Sequence, residues 1–467
     1  MIDATYVDGI TGQPLLDALP KQMTIEELQK KLTVVPELPD SYKEASVQER
    51  LELTERIGDV YIPLDFSAAI YNLLYSGLRS AYRGKTRVSI TRNLSAIGRG
   101  IQRHDSSVLE AISMQAESFS VLGEPGMGKT ETVTRILKTI PQVIRHSEYE
   151  GRRFEEYQTT YLKIECPANN SPRGACFQIL GAVDGLMGTT LVENAESRHA
   201  NVDTLIMCIA QVCTRFHVGC IVIDEIQNVL PSNSVMPSPN NILVKFLVEL
   251  ANKTGVCLLF IGTPVIAPYF DAEAHLARRT RGPRIPPLQQ NEAFVTILRA
   301  MWEQVPVLYP RPIDSGLIEL IYRITGGVLA KMQKLVKLSA QHAIMFGEEV
   351  ISGVTLKKVA KQYGIAPGNT RLTVDPPNIL QLPIEAATKV PNKTPIMTDA
   401  QMTVEESAAM SRSKKRGRPK AQRNREDIIE LFKDCREHGW LVKQSLRSIG
   451  LLWIPKPKGG EENGFTL

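Results

Sequence analysis

Gly123-Glu124-Pro125-Gly126-Met127-Gly128-Lys129-Thr130 fits the pattern G-x-x-x-x-G-K-[ST] in full. The apolar run Ser118 to Leu122 before it reads as a strand, and the residues from Lys129 onward read as a helix. That strand–loop–helix context is what the motif requires. Glycines let the backbone wrap phosphates, so that N–H groups and a helix N-terminus face the anion. Lys129 would then reach the β- and γ-phosphates, and the Thr130 hydroxyl would ligate Mg²⁺. Glu131 lies beside it in the first turn of the helix.

Working outward, Thr160 to Cys166 reads as a second strand and Val202 to Phe216 as a helix. Cys220 to Ile223 and Val256 to Ile261 are uninterrupted apolar runs, as expected of central parallel strands covered on both faces. Strand–helix alternation of this kind predicts a parallel, doubly wound α/β sheet. The run Cys220-Ile221-Val222-Ile223-Asp224-Glu225 ends in two carboxylates, 95 residues after Lys129. Ligands bind at such carboxyl edges of open α/β sheets. Asp224 is the candidate to support Mg²⁺, and Glu225 the candidate to orient and polarise an attacking water. Thr263 closes the next strand and is a candidate γ-phosphate sensor, or a hydroxyl satisfying a local turn.

Residues 276–284 hold Arg278, Arg279, Arg281 and Arg284. Arginine's fork can stabilise charge on a phosphoryl group of a neighbouring subunit, so Arg278, Arg279 and Arg281 are candidate fingers. A solvated basic loop or a nucleic-acid contact is the other reading. Residues 291–363 turn wholly helical and predict a small lid. Lys331, after Thr325-Gly326-Gly327, is placed to touch the nucleotide or to stay in solvent. Residues 360–365 have helix-turn-helix spacing but read better as a last lid helix capped by Gly364.

The resulting division is an N-terminal extension (1–104), an α/β core (105–290) and a helical lid (291–368). A Pro-rich linker (369–410), a basic tail (411–425) and a C-terminal segment (426–467) follow. Helical patterns occupy Thr24–Leu32 and Phe66–Ala81 of the extension. The closing segment carries Phe432, Trp440 and Trp453, which suit docking on a partner or a small helical pair.

Composition narrows the class. Of 467 residues 43 % are hydrophobic, enough to exclude wholesale disorder. Net charge is +5, yet Ser411 to Arg425 holds eight basic residues and no acid. Setting those eight aside leaves −3, so the excess positive charge lies in one short tail. The sequence Lys414-Lys415-Arg416-Gly417-Arg418-Pro419-Lys420 resembles an AT-hook, in which Arg416 and Arg418 would enter a narrow minor groove. A polybasic linker and an import signal are the alternatives. Seven cysteines without a CxxC pair read as buried free thiols of a reducing compartment. The N-terminus shows no secretory pattern, and the uncharged stretch Thr254 to Phe270 is too short and too broken to span a membrane. The expectation is a cytoplasmic protein.

Together the phosphate loop, the Asp-Glu strand, Thr263, the arginine stretch and the helical lid resemble an AAA+ ATPase. Within that class the chain resembles the TnsC/TniB-type transposition regulators over about residues 60–365. The similar stretch is Leu162-Lys163-Ile164-Glu165-Cys166-Pro167, continuing through Ser171–Cys176 to Asp184 and Gly188-Thr189. Tyr82-Arg83-Gly84 and Leu276-Ala277-Arg278-Arg279 are similar too. The resemblance implies ATP- and Mg²⁺-dependent assembly of rings or filaments on double-stranded DNA. It implies bridging between a target-selection protein, CRISPR-associated in some systems, and a transposase. It also implies a bacterial, nucleoid-associated setting. By position, Arg173, Thr189 and Thr190 would line the DNA-facing channel. The long linker and basic tail are more similar to members that work with separate endonuclease and integrase subunits. An origin-type or helicase loader, and a non-catalytic DNA tether, are the rival readings.

Overall fold

The structure is a computed structural model that describes residues 1–6, 11–103, 108, 117–167, 171–197, 199–230, 242–271, 280–367 and 377–380. All of them belong to one unit, Met1–Ala387.

The N-terminal part contributes strand β1 (Ile2–Asp3) and helices α1 (Ile25–Leu32), α2 (Val47–Leu53), α3 (Asp65–Tyr82) and α4 (Arg87–Arg103). Thr24 and Ser46 start α1 and α2 with reciprocal capping boxes to Glu27 and Glu49. Then come β2 (Ser118–Gly123), α5 (Lys129–Lys138), and the hairpin β3 (Val143–Tyr149) and β4 (Arg152–Thr159). Next are β5 (Tyr161–Glu165), α6 (Pro172–Met187), α7 (Leu191–Ser197), α8 (Val202–Arg215) and β6 (Cys220–Asp224). The core ends with α9 (Ile242–Thr254), β7 (Cys257–Gly262) and β8 (Arg284–Ile285). Four helices form the lid: α10 (Glu292–Trp302), α11 (Ser315–Thr325), α12 (Leu329–Met345) and α13 (Gly353–Gln362).

The main sheet is parallel, in the order β5-β6-β7-β2-β8. Its residues divide by the two-residue period of a strand. Cys220, Val222, Cys257, Leu259 and Ile261 face the core shared with α3, α5 and the lid. Ile221, Ile223, Leu258 and Phe260 face α6, α8 and α9. Register sets Glu165 beside Asp224 and Leu122 beside Gly262. The carboxyl ends of β5, β6, β7 and β2 therefore make one edge.

The parallel sheet, the helix at Lys129 and the wholly helical lid agree with the sequence expectations. A second sheet, β1-β3-β4, adds an antiparallel hairpin that the sequence reading did not anticipate. Tyr363 and Gly364 close α13, with Gly364 at φ 62°, so the 360–365 stretch is the last lid helix and its cap. None of the described cysteines forms a disulfide, and all but Cys208 are buried. Burial pushes the thiols of Cys166, Cys176 and Cys213 up to about 12, which makes them inert. Among the described residues no His, Cys and carboxylate group forms a metal cluster. None of the described helices is long and apolar enough to cross a membrane.

Candidate functional site

The sheet edge opens into a cavity of about 680 Å³. Pro125, Gly126, Met127, Gly128, Lys129, Thr130 and Glu131 form its floor. Gly126 and Gly128 hold φ of 83° and 78°, a left-handed conformation that only glycine adopts without strain. Gly128 is the N-cap of α5 and has no side chain to cap it. The first-turn N–H groups, which no intrahelical acceptor can reach, are thus left for an anion. Met127, fully buried, pins the loop to the core. Gly123 and Glu124 do not line the cavity. Gly123 lies against β8, where a Cβ would meet the Ile285 oxygen at 2.5 Å. Glu124 supplies its carbonyl to the Lys129 ammonium at 2.9 Å.

Lys129 is largely buried, and that burial lowers its pKa against the opposing pull of Glu225, Asp224 and Glu124. An anionic ligand beside it would favour the charged ammonium. Thr130 Oγ1 donates to Asp224 Oδ1 at 3.1 Å. Two oxygen donors meeting at the mouth of a phosphate cradle suit Mg²⁺, a hard cation that binds through one or two protein oxygens plus phosphates. Glu225 sits in a left-handed conformation, φ 53°, with its N–H on Asp224 Oδ1 at 2.9 Å. That turn carries the two adjacent carboxylates to different positions at the cavity. Thr263 lines the same cavity.

Three groups at this site carry no obvious sequence label. Gln227 donates through Nε2 to Glu225 and accepts from the Thr263 N–H at 3.0 Å, so one amide ties the two candidates together. Its place two residues after Asp-Glu was the available signal. Lys163 on β5 reaches Asp224 Oδ2 at 3.3 Å and Thr134 Oγ1 at 3.1 Å, adding a cation beside the carboxylate. Tyr61 donates to Thr132 Oγ1 at 2.8 Å and lies 4.5 Å beneath the Arg135 guanidinium. Burial raises the Tyr61 pKa and keeps the phenol a donor. Arg135 also holds Glu131 at 2.6 Å.

The remaining walls are apolar and come from far along the chain. Val60, Ile62, Leu64 and Phe66 precede or begin α3, while Ile297, Met301 and Leu329 belong to the lid. A flat heterocycle fits between such walls. The lid touches the phosphate loop directly, for Ala330 N–H donates to Gly126 O at 2.9 Å.

The other predicted residues lie elsewhere. Lys331 turns away from the cavity and donates to Ala366 O at 2.7 Å. Arg281 is exposed and absent from the cavity of its own chain, and its carbonyl meets Ser120 N–H at 3.4 Å. Arg173 stacks 4.8 Å over Phe177 and donates to Ala200 O. Thr189 donates to Asp184 Oδ1 at 2.6 Å, and the Thr190 hydroxyl accepts from Asn194 at 3.2 Å. Arg173 and the Thr189-Thr190 pair sit at opposite ends of α6, whose 16 residues span about 24 Å. Arg278, Arg279, Arg416 and Arg418 lie outside the described residues, as do the 411–425 tail and the 426–467 segment.

Residues 112–270 match the AAA domain family. The chain has the AAA+ fold, a nucleotide-binding parallel sheet with a helical lid. No curated protein matches it in sequence. Among solved structures, the Aeropyrum pernix ORC2 protein in ADPNP-ADP complexes is 16 % identical, with 60 % of this chain and 68 % of that one covered, at a TM-score of 0.36. The Aeropyrum pernix ORC1 protein in complex with DNA is 13 % identical over 63 % and 69 %, at 0.38. CDC6P from Pyrobaculum aerophilum is 17 % identical over 58 % and 67 %, at 0.35. Likenesses this loose bring over nothing about ligand or partner.

Proposed function

We propose that the chain is an ATPase switch that assembles on double-stranded DNA and regulates DNA transposition, linking a target-selection protein to a transposase and its endonuclease subunit. The observation that carries the ATPase reading is the meeting of Thr130 and Asp224 at 3.1 Å, with Glu225 beside them, at the mouth of a glycine cradle. The α5 N-terminus and Lys129 hold the phosphates. Thr130 and Asp224 hold Mg²⁺, which when bound neutralises charge on the phosphoryl oxygens. Glu225, oriented by Gln227, takes the proton of the attacking water. Thr263, tethered to the same amide, reports the state of the γ-phosphate. Arg281, exposed on the surface, is available to a neighbouring subunit, with Arg278 and Arg279 its companions in sequence.

The transposition part rests on the similarity of residues 162–189 to the TnsC/TniB-type regulators. In that reading Arg173, Thr189 and Thr190 face DNA in the assembled ring or filament, and Arg416 and Arg418 hold it from the tail. Hydrolysis then disassembles the oligomer.

The Glu225→Gln variant tests the switch. Removal of a general base costs roughly 10²- to 10⁴-fold in rate, so the variant should bind ATP normally, hydrolyse it at least 100-fold more slowly and remain on duplex DNA as oligomers. Normal hydrolysis would remove Glu225 from its role. Electron microscopy of wild-type protein with ATP should show continuous rings or filaments on unmelted duplex. Melted DNA would favour a loader, and ATP-independent binding abolished by loss of residues 411–425 would favour a tether.

A further inference from the structure

Helix α4 holds four arginines and no acid, and from Arg83 to Arg103 the chain carries six positive charges and no negative one. Outside this stretch and the 411–425 tail the chain sums to −9, so these six charges stand against an acidic remainder.

The helix is split by its surroundings. Ile97 packs against Met207 and Ala210 of α8, and Ile90 enters the main core. Thr91, Arg92, Ser95, Arg99, Gln102 and Arg103 are exposed. Those six recur at i, i+1, i+4, i+8, i+11 and i+12, which is one face of a helix. Arg92 and Arg103 are about 16 Å apart along the axis at 1.5 Å per residue. No described carboxylate pairs with Arg92, Arg99 or Arg103. Arg87 instead braces the helix, donating to Arg153 O at 3.0 Å and stacking on Phe154 at 5.9 Å. Beside the face runs a groove of about 710 Å³ between Thr91, Arg92 and Ser95 on one side and Arg152 and Glu150 on the other.

We infer that this face of α4 is a second docking surface for the sugar-phosphate backbone of duplex DNA, separate from the α6 residues and from the basic tail. The inference deepens the DNA-binding reading above and rests on it. Guanidinium forks flanked by the Ser95 hydroxyl and the Gln102 amide are the donors that grip phosphate oxygens without reading bases, the Thr91 hydroxyl being held by Arg87 O at 3.1 Å. An acidic protein partner would need a cluster of aromatic or aliphatic anchors, and the face offers the single exposed Val88. An anionic bilayer would need the apolar side of the helix to insert, and that side is already spent on α8. Contact here is electrostatic and sequence-independent, so it adds affinity and register rather than site choice.

The test is the full-length R92Q/R99Q/R103Q variant beside wild type, titrated against a fluorescent mixed-sequence duplex with ATP and Mg²⁺ between 50 and 200 mM salt. Each phosphate contact contributes about 0.9 to the slope of log affinity on log salt, so losing three should flatten the slope by about 2.7. The fourfold rise in salt should then cost wild type about 40-fold more affinity than the variant. ATP binding, measured separately, should be equal in the two and so confirm the fold. Wild-type affinity with equal slopes overturns the inference and leaves the DNA reading standing. A wild type with no affinity for duplex overturns that reading itself. Arginine-dependent capture of phosphatidylserine vesicles together with equal DNA slopes overturns the inference in favour of a lipid surface.

Discussion

Arg50 and Glu349 tie the N-terminal part to the lid, and cutting that tie should be costly. Arg50 on α2 places Nη1 2.6 Å from Glu349 Oε2 and Nη2 2.7 Å from Oε1, a bidentate fork. Only 3 % of Arg50 and 9 % of Glu349 is exposed. The same carboxylate accepts the Leu308 N–H at 3.1 Å. In Glu349→Ala a guanidinium is left buried without its counter-charge, together with an unpaired N–H. Removing one partner of a buried pair costs about 3–5 kcal/mol. Arg50→Ala should fall in the same range, and the double variant should cost less than the two combined, with a coupling of about 1–3 kcal/mol. Urea unfolding followed by intrinsic fluorescence reads the stability. The arginine hydrogen bonds are the main cause that holds the Glu349 carboxyl below its ordinary range. Its folded pKa is therefore depressed, and its contribution is complete above the unfolded value and lost as pH falls through the folded one. Glu349→Gln should remove that part of the acid sensitivity. Single variants within 0.5 kcal/mol of wild type would refute the argument, for the pair would then be no more than a solvated contact.

Two other perturbations test the surroundings of the site. Tyr61→Phe keeps the cavity wall but strands the buried Thr132 hydroxyl, so it should cost about 1–3 kcal/mol of stability with little change in ATP affinity, whereas Tyr61→Ala should weaken ATP binding about tenfold or more, both measured by nucleotide titration and urea unfolding. His146, buried between Tyr6 and Gln158 at 3.0 Å from each, has its pKa pushed down to about 4 by desolvation. At about 1.4 kcal/mol per unit, stability should be complete above pH about 6.5 and fall by about 3 kcal/mol toward pH 4. His146→Gln should flatten that part of the curve, and an unchanged slope would take the proton uptake away from His146.

The floor of the site was legible because its chemistry is local. A glycine cradle and an Asp-Glu strand end are written in consecutive residues, and apolar runs of four and six mark the strands beside them. The walls were not legible, because Val60, Tyr61, Ile297 and Leu329 meet only in the fold. The hairpin was missed for a different reason. Its buried positions include His146, Gln158 and Thr159, so the alternation that betrays a half-buried strand is masked by polar side chains. Its turn, Glu150-Gly151, has φ of 54° and 68° but lacks the Asn or Asp that usually flags a two-residue loop. Lys331 shows the limit of spacing arguments. Its neighbour Ala330 meets the phosphate loop, and one further residue on the helix points the ammonium to Ala366 instead.

Three bodies close around the cavity, and their junctions differ in strength. The lid meets the core's phosphate loop through the Ala330–Gly126 bond. The N-terminal segment meets α5 through Tyr61 and Thr132. Lid and N-terminal segment meet through the buried Arg50–Glu349 fork, through Lys337 and Glu55 at 2.5 Å, and through Gln333 to Gly58 O at 2.8 Å. A neutral hydrogen bond contributes about 1 kcal/mol net, well below the cost of breaking a buried ion pair. These polar ties rest on a shared apolar core, for Ile70, Leu74 and Leu78 of α3, Val121 and Leu259 of the sheet and Leu335 of the lid belong to one buried cluster. The Arg50–Glu349 fork joins the two bodies that supply the apolar walls, and both of those bodies also bury apolar surface against the sheet that carries the floor. A ligand bound at micromolar affinity contributes about 8 kcal/mol, and it meets walls and floor that are packed together rather than a floor held by single hydrogen bonds.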